Sequence, residues 1–414
     1  MANTLITPDL IAKEALMQLE NNLVAANCVH REYKKEFTGG QGDTVSIRKP
    51  VKFYTADGAT RVNQDVEEKT TSITINERKH VSWKFSTQDL TLSVEDYSER
   101  YIKPAMITLA NTVDRSIMAL YSTVWNAVGS PGTTPAAYAA IAAPAQRLDE
   151  MAVMTDNRHM LLNPAAEYAI SGNQITLDAV GNVKRSAYEE ARVGRIAKFE
   201  TYGTQNIPNH VVGVATGTPR VNGAGQDVTY ADASGTNWSQ TLNTDGWTSS
   251  TTGILRKGDV FTIAGVFAVN PVPGEGTTGK IVMPYLQQFT VLADANSGAS
   301  TGPAALTISP CIITEGPFQT VSAAPADDAA ITVFGTPGTS FPQNLGFHRN
   351  AFALVTVPLE MPDGAAFKAR ESHNGLSVRV VKDYDIDTDN DVIRLDILYG
   401  TKSIFPDLAC RLWG

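Results

Sequence analysis

One long stripe of apolar side chains constrains the fold of this chain more than any other feature of its sequence. The stripe consists of Met106, Leu109, Val113, Ile117, Leu120, Val124 and Val128. Its steps of three or four residues predict an amphipathic helix of about 25 residues, about 37 Å long, that kinks or starts afresh at Pro104. Gly129 and Pro131 end it. Because one whole face of this helix must be buried, we expect it to form the spine of the fold.

A change of composition marks a second region, residues 214–337. This stretch holds 15 of the 32 glycines, is rich in Thr, Ser and Val, and carries no apolar stripe of helical period. Short apolar runs near 259–263 and 288–292 lie between Gly and Pro turns and predict strands. We expect an inserted all-β domain, a small barrel or sandwich, whose two ends lie close together. Its predicted core comprises Val260, Phe261, Ile263, Phe289, Val291 and Leu292.

The other segments predict a mixed α+β chain. Pro8 and Asp9 follow Thr7 and mark the start of an N-terminal helix. Helical segments are predicted at 136–152, after Asn163 and near 184–192, and strands at 159–162, 195–200 and 351–357. Residues 376–383 and 392–399 alternate apolar and polar side chains across a TDND turn and predict a closing hairpin.

Residues 43–86 predict a long β-hairpin that projects from the body of the fold. Its tip, roughly residues 52–68, is polar and charged and has few large apolar side chains. The backbone edges of such a hairpin would stay unpaired in a monomer, so we expect it to pack on a neighbouring subunit. The residues predicted to make this contact are Arg48, Lys52, Arg61, Asp65, Glu67 and Glu68.

Composition argues against several functional classes. The net charge is −9, whereas binding to nucleic-acid phosphates needs clustered Lys and Arg. No apolar run reaches 18 residues, and the N-terminus lacks the features of a secretory signal, so neither a membrane span nor secretion is predicted. Three distant cysteines suit a reducing compartment rather than a disulfide framework.

The sequence predicts no catalytic, cofactor-binding or metal site. The run from Gly274 to Lys280 matches most of a phosphate-binding loop, but Ile281 stands where a magnesium-binding hydroxyl is needed, which favours a plain loop. Four aspartates between Asp385 and Asp391 have the spacing of a calcium loop, yet strands flank them, which favours a solvated turn. We therefore predict that the chain is not an enzyme.

The order of these elements, together with three stretches of sequence, resembles one known family. The stretches are LRKGDVFTIAGV, FHRNAFALVTVPLEMPDG and the closing RVVKDYDIDTDNDVIRLDILYGTKSIFPDLACRLWG. They resemble major capsid proteins of tailed bacteriophages with the Hong Kong 97-type fold, and among these the podoviral coat proteins that carry an inserted β-domain. The resemblance covers essentially the whole chain.

The resemblance implies five structural parts. They are an N-terminal arm (1–40), an extended loop (41–80), a peripheral domain with the spine helix (81–134 and 373–414), an axial domain (135–213 and 338–372) and the insertion (214–337). It also implies that a loop of the insertion meets a partner across a two-fold axis. The best match for that loop holds only Asp227 and Asp232, which puts a salt-bridge role in doubt.

The resemblance further implies a shell protein that assembles with itself, as pentamers and hexamers, into an icosahedral capsid around phage DNA. The implied partners are a scaffolding protein, a portal protein and a decoration protein, with assembly in the host bacterial cytoplasm and no cofactor. Two alternatives remain open. One is a cellular nanocompartment shell of the same fold, and the other is a soluble β-rich glycan-binding tail component.

Overall fold

The structure is a computed structural model. It describes residues 8–33, 44–49, 51–53, 58–61, 63, 70–86, 101–176, 190–191, 193–236, 238–272, 280–365, 367–373 and 376–414. Most of the predicted helix near 184–192, the loop residues Asp65, Glu67 and Glu68, and the glycine-rich run before Lys280 lie outside these ranges.

The described ranges alternate helices and strands, and the predicted α+β class is confirmed. The α-helices are α1 (Pro8–Asn22), α2 (Ala25–Cys28), α3 (Lys103–Met118), α4 (Tyr138–Glu150), α5 (Pro164–Thr176) and α6 (Tyr230–Gly235), and 3-10 helices cover Ala119–Thr123, Arg349–Ala351 and Pro406–Leu408. The strands are β1 (Thr44–Arg48), β2 (Thr70–Thr74), β3 (Glu77–Ser86), β4 (Ala127–Val128), β5 (Arg158–Leu162), β6 (Arg195–Ile196), β7 (Phe199–Gly203), β8 (Asn209–Val211), β9 (Gly217–Val221), β10 (Gln240–Trp247), β11 (Val260–Val269), β12 (Val282–Val291), β13 (Ala304–Ser309), β14 (Ile331–Val333), β15 (Ser340–Pro342), β16 (Asn344–His348), β17 (Phe352–Thr356), β18 (Phe367–His373), β19 (Leu376–Asp385), β20 (Asn390–Ser403) and β21 (Ala409–Leu412).

The chain divides into two compact units. The first comprises Met1–Ile47, Ser72–Met118 and Phe352–Lys402, and the second comprises Arg48–Thr71, Ala119–Ala351 and Ser403–Gly414. This division differs from the predicted peripheral and axial domains at their edges. The C-terminal strand β21 pairs with β16 and β4 in the sheet of the second unit, whereas β17 joins the sheet of the closing hairpin in the first.

In the first unit, a sheet in the order β17-β20-β19-β18 carries β3 alongside β20. Its apolar residues are buried, and α1 and α3 pack in the same unit. The buried carboxylate of Asp114 on α3 accepts hydrogen bonds from the backbone N–H groups of Val24 (2.8 Å) and Ala26 (3.0 Å) at the start of α2. Burial raises the pKa of Asp114. The N-terminal helices are thus tied to the spine by one side chain.

The predicted spine helix is correct in its first half and wrong in its second. Helix α3 ends at Met118, a 3-10 turn follows, and Val128 lies in β4, where it pairs with Leu412. The hydroxyl groups of Ser122 and Thr123 donate to backbone carbonyls three residues earlier, which favours the tighter 3-10 geometry. Ile117 is buried, but Leu120 is only half-buried.

In the second unit, a six-stranded sheet in the order β4-β21-β16-β5-β7-β6 forms the body together with α4 and α5. A second six-stranded sheet, in the order β14-β11-β12-β13-β10-β9, lies wholly within the insertion. A bridge between Arg220 and Ala330 joins its two outer strands, so this sheet closes on itself as a small barrel.

The barrel core agrees closely with the prediction. Five of the six predicted core residues are buried, and Leu292 is half-buried. The two ends of the insertion also meet as predicted, because Val212 N–H donates to the Thr339 carbonyl at 3.1 Å and Gly338 N–H donates back to Val212 at 3.2 Å. Val260 differs from the other core residues in that it packs outside the barrel, against the body residues Ala127, Val212, Phe341 and Trp413.

Candidate assembly interface

The base of the extended loop lies on an aromatic cluster of the insertion. Tyr230 stacks on Phe318 with ring centroids 3.9 Å apart, and Trp238 lies beside both. The Lys49 ammonium lies 4.7 Å from the Trp238 ring centroid, and that of Lys52 lies 5.6 Å from the Phe318 ring centroid. Such cation–π contacts contribute about 0.5–1 kcal/mol each at exposed sites. Lys52, predicted to face a neighbouring subunit, thus also contacts its own insertion.

A buried lysine adds positive charge beneath this cluster. The Lys280 ammonium donates a hydrogen bond of 2.9 Å to the Gln319 carbonyl and is almost completely buried. Burial, together with the nearby charge of Lys52, lowers the pKa of Lys280 to about 7. The amine of Lys280 is therefore balanced between its charged and neutral forms near neutral pH.

Two of the other predicted loop residues lie in the described part of the chain. Arg48 ends β1 and is exposed, and Arg61 is exposed as well. The remaining three, Asp65, Glu67 and Glu68, lie outside the described residues.

Asp227 and Asp232 are both exposed on the insertion, as a contact role requires. Asp227 accepts a hydrogen bond of 2.8 Å from the Thr314 hydroxyl. Asp232 belongs to the N-terminal cap of α6: its backbone N–H donates to the Thr229 hydroxyl oxygen, and that hydroxyl donates to its carboxylate. Both carboxylates therefore have local hydroxyl partners, and Asp232 also stabilises the helix beside the aromatic cluster.

A buried polar network that sequence reasoning missed connects the insertion to the body. The carboxylate of Asp259, at the base of the barrel, lies 2.8 Å from His210 Nε2 and also accepts from the backbone N–H groups of Gly213 (3.0 Å) and Arg256 (2.6 Å). On its other side, His210 Nδ1 lies 3.0 Å from the Tyr121 hydroxyl. The carboxylate has no solvent exposure, and the imidazole has little.

Arg411 completes this junction from the C-terminal strand. Its guanidinium is fully buried and donates to the Gly258 carbonyl at 2.6 Å and to the Thr290 hydroxyl at 3.1 Å. It also lies 5.2 Å from the centroid of the Tyr121 ring. Burial lowers the pKa of Arg411 to about 10, so the group remains charged at neutral pH. The negative charge of Asp259 lies close enough to offset part of this buried positive charge.

Backbone geometry at Gly258 makes the close approach possible. Its φ of +100° is unfavourable for other residues, and a Cβ there would lie 3.2 Å from the Tyr121 ring and 3.3 Å from the Ser122 side chain. Nearby, the Gln288 side-chain amide accepts from Ala127 N–H at 2.7 Å and donates to the Ala127 carbonyl at 2.9 Å, as a neighbouring strand would. These contacts fix the insertion firmly on the body.

No local sequence motif predicts this junction. Tyr121, His210, Asp259 and Arg411 lie on four distant segments of the chain, so no spacing rule brings them together. The one available signal was the Gly258–Asp259 pair within the stretch LRKGDVFTIAGV. In the described part of the chain, no group of three or more His, Cys, Asp or Glu side chains is arranged to hold a metal ion. None of the described helices combines the length and apolar character needed to cross a membrane.

Comparisons with known proteins extend over the whole chain. The family described as "P22 coat protein - gene protein 5" matches residues 1–414. A curated major capsid protein of Acyrthosiphon pisum secondary endosymbiont phage 1 is 23% identical over 429 residues, with 100% of each chain covered. A solved structure from Mycobacterium phage Che8 has 13% identity and a TM-score of 0.48, covering 94% of this chain and 90% of that one. The capsid structure of Cyanophage P-SCSP1u has 12% identity and a TM-score of 0.42, covering 91% and 84%.

Proposed function

The chain belongs to the P22 coat protein family, and we propose that it assembles as pentamers and hexamers into the icosahedral shell that encloses phage double-stranded DNA. The observation that carries this proposal is the family match across residues 1–414. The sequence-based identification of a phage coat protein agrees with this match. The role is structural, and the shell forms by contacts between subunits rather than by a catalysed step.

The extended loop supports a role in contacts between subunits. Strands β1 and β2 form a two-stranded sheet of their own, and such a sheet is only marginally stable in water. Lys49 and Lys52 supply part of the missing stabilisation from within the chain. We assign the rest to a neighbouring subunit, contacted by Arg48, Lys52, Arg61, Asp65, Glu67 and Glu68. Asp227 and Asp232 then lie at a second contact, across a two-fold axis.

The proposal includes the partners of shell assembly. A scaffolding protein guides the subunits to shells of the correct size in the host bacterial cytoplasm, and a portal protein occupies one vertex for DNA entry. A decoration protein is a further candidate on the outer surface. The net charge of −9 suits a container whose lining must not hold DNA phosphates tightly during packaging.

Electron microscopy of the full-length protein tests this function. Expressed with the scaffolding protein of its phage, the chain should form closed shells of uniform size. Discrete monomers or trimers under these conditions would contradict the proposal and favour a glycan-binding tail component. Closed shells that form without a scaffolding protein and enclose an enzyme would instead identify a nanocompartment.

Two variants test the extended loop in the same assay. Replacing residues 52–68 with a short Gly-Ser link should leave a soluble subunit with a near-normal melting curve that forms no closed shells. Reversing Arg48 and Arg61 to Glu should make assembly fail or depend strongly on salt, because exposed charges are screened within about 8–10 Å. The matched control reverses Arg256 and Lys257, which are exposed on the insertion. Normal shells from the loop variants would remove the loop from the proposed interface.

A further inference from the structure

Three arginines share one buried carboxylate in the sheet of the first unit, and a fourth lies on the neighbouring strand. Asp396 on β20 has no solvent exposure. Its carboxylate lies 2.5 Å from Arg379 Nη2, 2.7 Å from Arg394 Nε and 3.8 Å from Arg78 Nη2. Arg370 pairs directly with Arg379 on the neighbouring strand. We call these five residues the arginine cluster.

The strand register places the arginine cluster on one face of the sheet. Arg370, Arg379 and Asp396 are direct cross-strand partners, so their side chains lie on the same side. Arg394 lies two residues from Asp396 and therefore shares this face. Arg78 pairs with Leu398, again two residues from Asp396. The alternate positions, such as Val380 and Leu395, are buried on the opposite face.

The cluster holds more positive charge than its own residues can neutralise. Burial disfavours the ionised form of Asp396, but hydrogen bonds from Arg379 and Arg394 outweigh it and lower the pKa of this carboxyl. The cluster contains four guanidinium groups and one carboxylate, a formal excess of three positive charges. Two groups remain accessible, because the side chains of Arg78 and Arg394 are 48% and 37% exposed. Arg370 is exposed as well.

Backbone carbonyls also fix the directions of two guanidinium groups. Arg379 donates to the Glu360 carbonyl at 2.5 Å, and Arg370 donates to the Leu359 carbonyl at 3.1 Å. Guanidinium groups held in this way lose little further freedom when they bind. Their planar fork matches a carboxylate in a two-point contact. The surroundings contain two further exposed acids, Glu360 and Asp363, and Asp363 lies 3.8 Å from Lys368, at the edge of the cluster.

We propose that the arginine cluster binds carboxylates of a second copy of this chain, presented by the acidic turn between β19 and β20. This inference rests on the proposed function, in which every subunit is surrounded by copies of itself. The chain carries −9 overall while the cluster carries an excess of positive charge, so the rest of each copy has a net negative charge. A second copy is thus a complementary partner that is always present in a shell.

The turn has the chemistry that the cluster requires. Asp387 and Asp389 are exposed there, and the side chain of Ile386 between them is 82% exposed. An isoleucine so open to water gains from burial against a partner. The turn lies away from its own cluster: six residues of strand, about 20 Å, separate Arg379 from Asp385, and four residues, about 13 Å, separate Arg394 from Asn390, where the hairpin closes. Each copy therefore offers both halves of a head-to-tail contact, which gives a ring where the rotation between copies closes.

Charge exchange in the full-length chain tests this contact. The first variant carries Arg78→Glu with Arg370→Glu and leaves Arg379 and Arg394 to hold Asp396. The second carries Asp387→Lys with Asp389→Lys, and the third combines all four substitutions. Shells formed with the scaffolding protein are counted by electron microscopy and sedimentation. Each double variant should lower the shell yield at least about tenfold, the effect of about 1.4 kcal/mol, and the fourfold variant should recover most of it.

The controls separate this contact from folding and from DNA binding. Lys103→Glu with Arg115→Glu makes the same charge change on exposed positions of α3 and should assemble normally. Melting curves of the unassembled subunits should show a cooperative transition in every variant, so that a lower shell yield does not reflect a lost fold. Normal shell yields from the double variants, or no recovery in the fourfold variant, would overturn the inference. Normal shells that package less DNA would assign the cluster to phosphates instead. If the unaltered chain forms no shells, the proposed function fails rather than this contact.

Discussion

Removing the carboxylate of Asp259 should reveal how strongly the insertion is held to the body of the second unit. This side chain accepts hydrogen bonds from Gly213 N–H and Arg256 N–H, and it faces His210 at 2.8 Å. In Asp259→Ala, the buried N–H of Gly213 and the half-buried N–H of Arg256 lose their acceptor, and His210 loses its partner. The buried guanidinium of Arg411 also loses the nearby negative charge.

The structure gives the size of this effect. A buried donor left without its acceptor costs about 1–3 kcal/mol, and breaking a buried charged pair costs about 3–5 kcal/mol. These contributions overlap, so we expect Asp259→Ala to lower the free energy of unfolding by about 3–5 kcal/mol. Asp259→Asn should lose less, because its remaining oxygen can still accept from Gly213 and Arg256. That difference separates the loss of charge from the loss of hydrogen bonds.

Urea unfolding of the unassembled subunit, followed by tryptophan fluorescence, measures the loss. Four of the five tryptophans, Trp125, Trp238, Trp247 and Trp413, lie in the second unit, so the signal reports mainly on that unit. With a slope of about 3 kcal/mol per M, the midpoint should fall by about 1 M or more. The matched control is Asp294→Ala, an exposed aspartate that accepts from Lys257 N–H at 2.7 Å. If the urea midpoint of Asp259→Ala falls by no more than that of this control, the junction does not hold the insertion on the body.

Two further predictions concern single buried side chains. Ile117→Asp places a charge on the buried face of α3 at a cost of several kcal/mol and should give insoluble protein. Leu120→Asp changes a half-buried position and should reduce the soluble yield less. Equal soluble yields for the two variants would contradict the observed end of the helix. The pKa of Lys280 is lowered from 10.5 to about 7, so between these pH values the unfolded chain binds more protons than the folded chain. The free energy of unfolding should therefore rise from pH 7 to pH 9, by up to about 1.4 kcal/mol per pH unit. Lys280→Met should abolish that rise in urea midpoints, and Lys257→Met, at an exposed position, should preserve it.

Elements with a strong local pattern could be predicted from sequence. The helix predicted at 136–152 is α4, the strand at 159–162 is β5, and the closing hairpin is β19 and β20. In each case the structure buries most of the large apolar positions of the segment. The second half of the spine could not be predicted in this way. Val124 and Val128 continue the helical spacing, but hydroxyl–carbonyl bonds at Ser122 and Thr123 and the pairing of β4 with β21 decide the backbone there.

The polar contacts could not be predicted, because they depend on register and on distant segments. The alternation of apolar and polar residues in β19 and β20 predicts a hairpin, but it does not indicate that Asp396 on the polar face is buried. Only the pairing of β20 with β19 and with β3 brings the guanidinium groups of Arg379 and Arg78 to the buried carboxylate of Asp396. The junction of Asp259 with His210 likewise needs the two ends of the insertion to meet first.

Val260 shows that the insertion has its own core and, in addition, an apolar contact with the body. The barrel core around Phe261 and Phe289 lies within the insertion, so residues 214–337 expressed alone should show β-rich circular dichroism and a cooperative melt. Val260 instead belongs to a cluster made mainly of body residues, and it would lose those contacts in the isolated domain. Val260→Ala should therefore destabilise the full chain by about 1.5 kcal/mol, for two lost methyl groups, and leave the isolated domain nearly unchanged. Phe261→Ala should destabilise both, by about 3–5 kcal/mol. An isolated domain without a transition, or equally sensitive to both substitutions, would refute this division of the core.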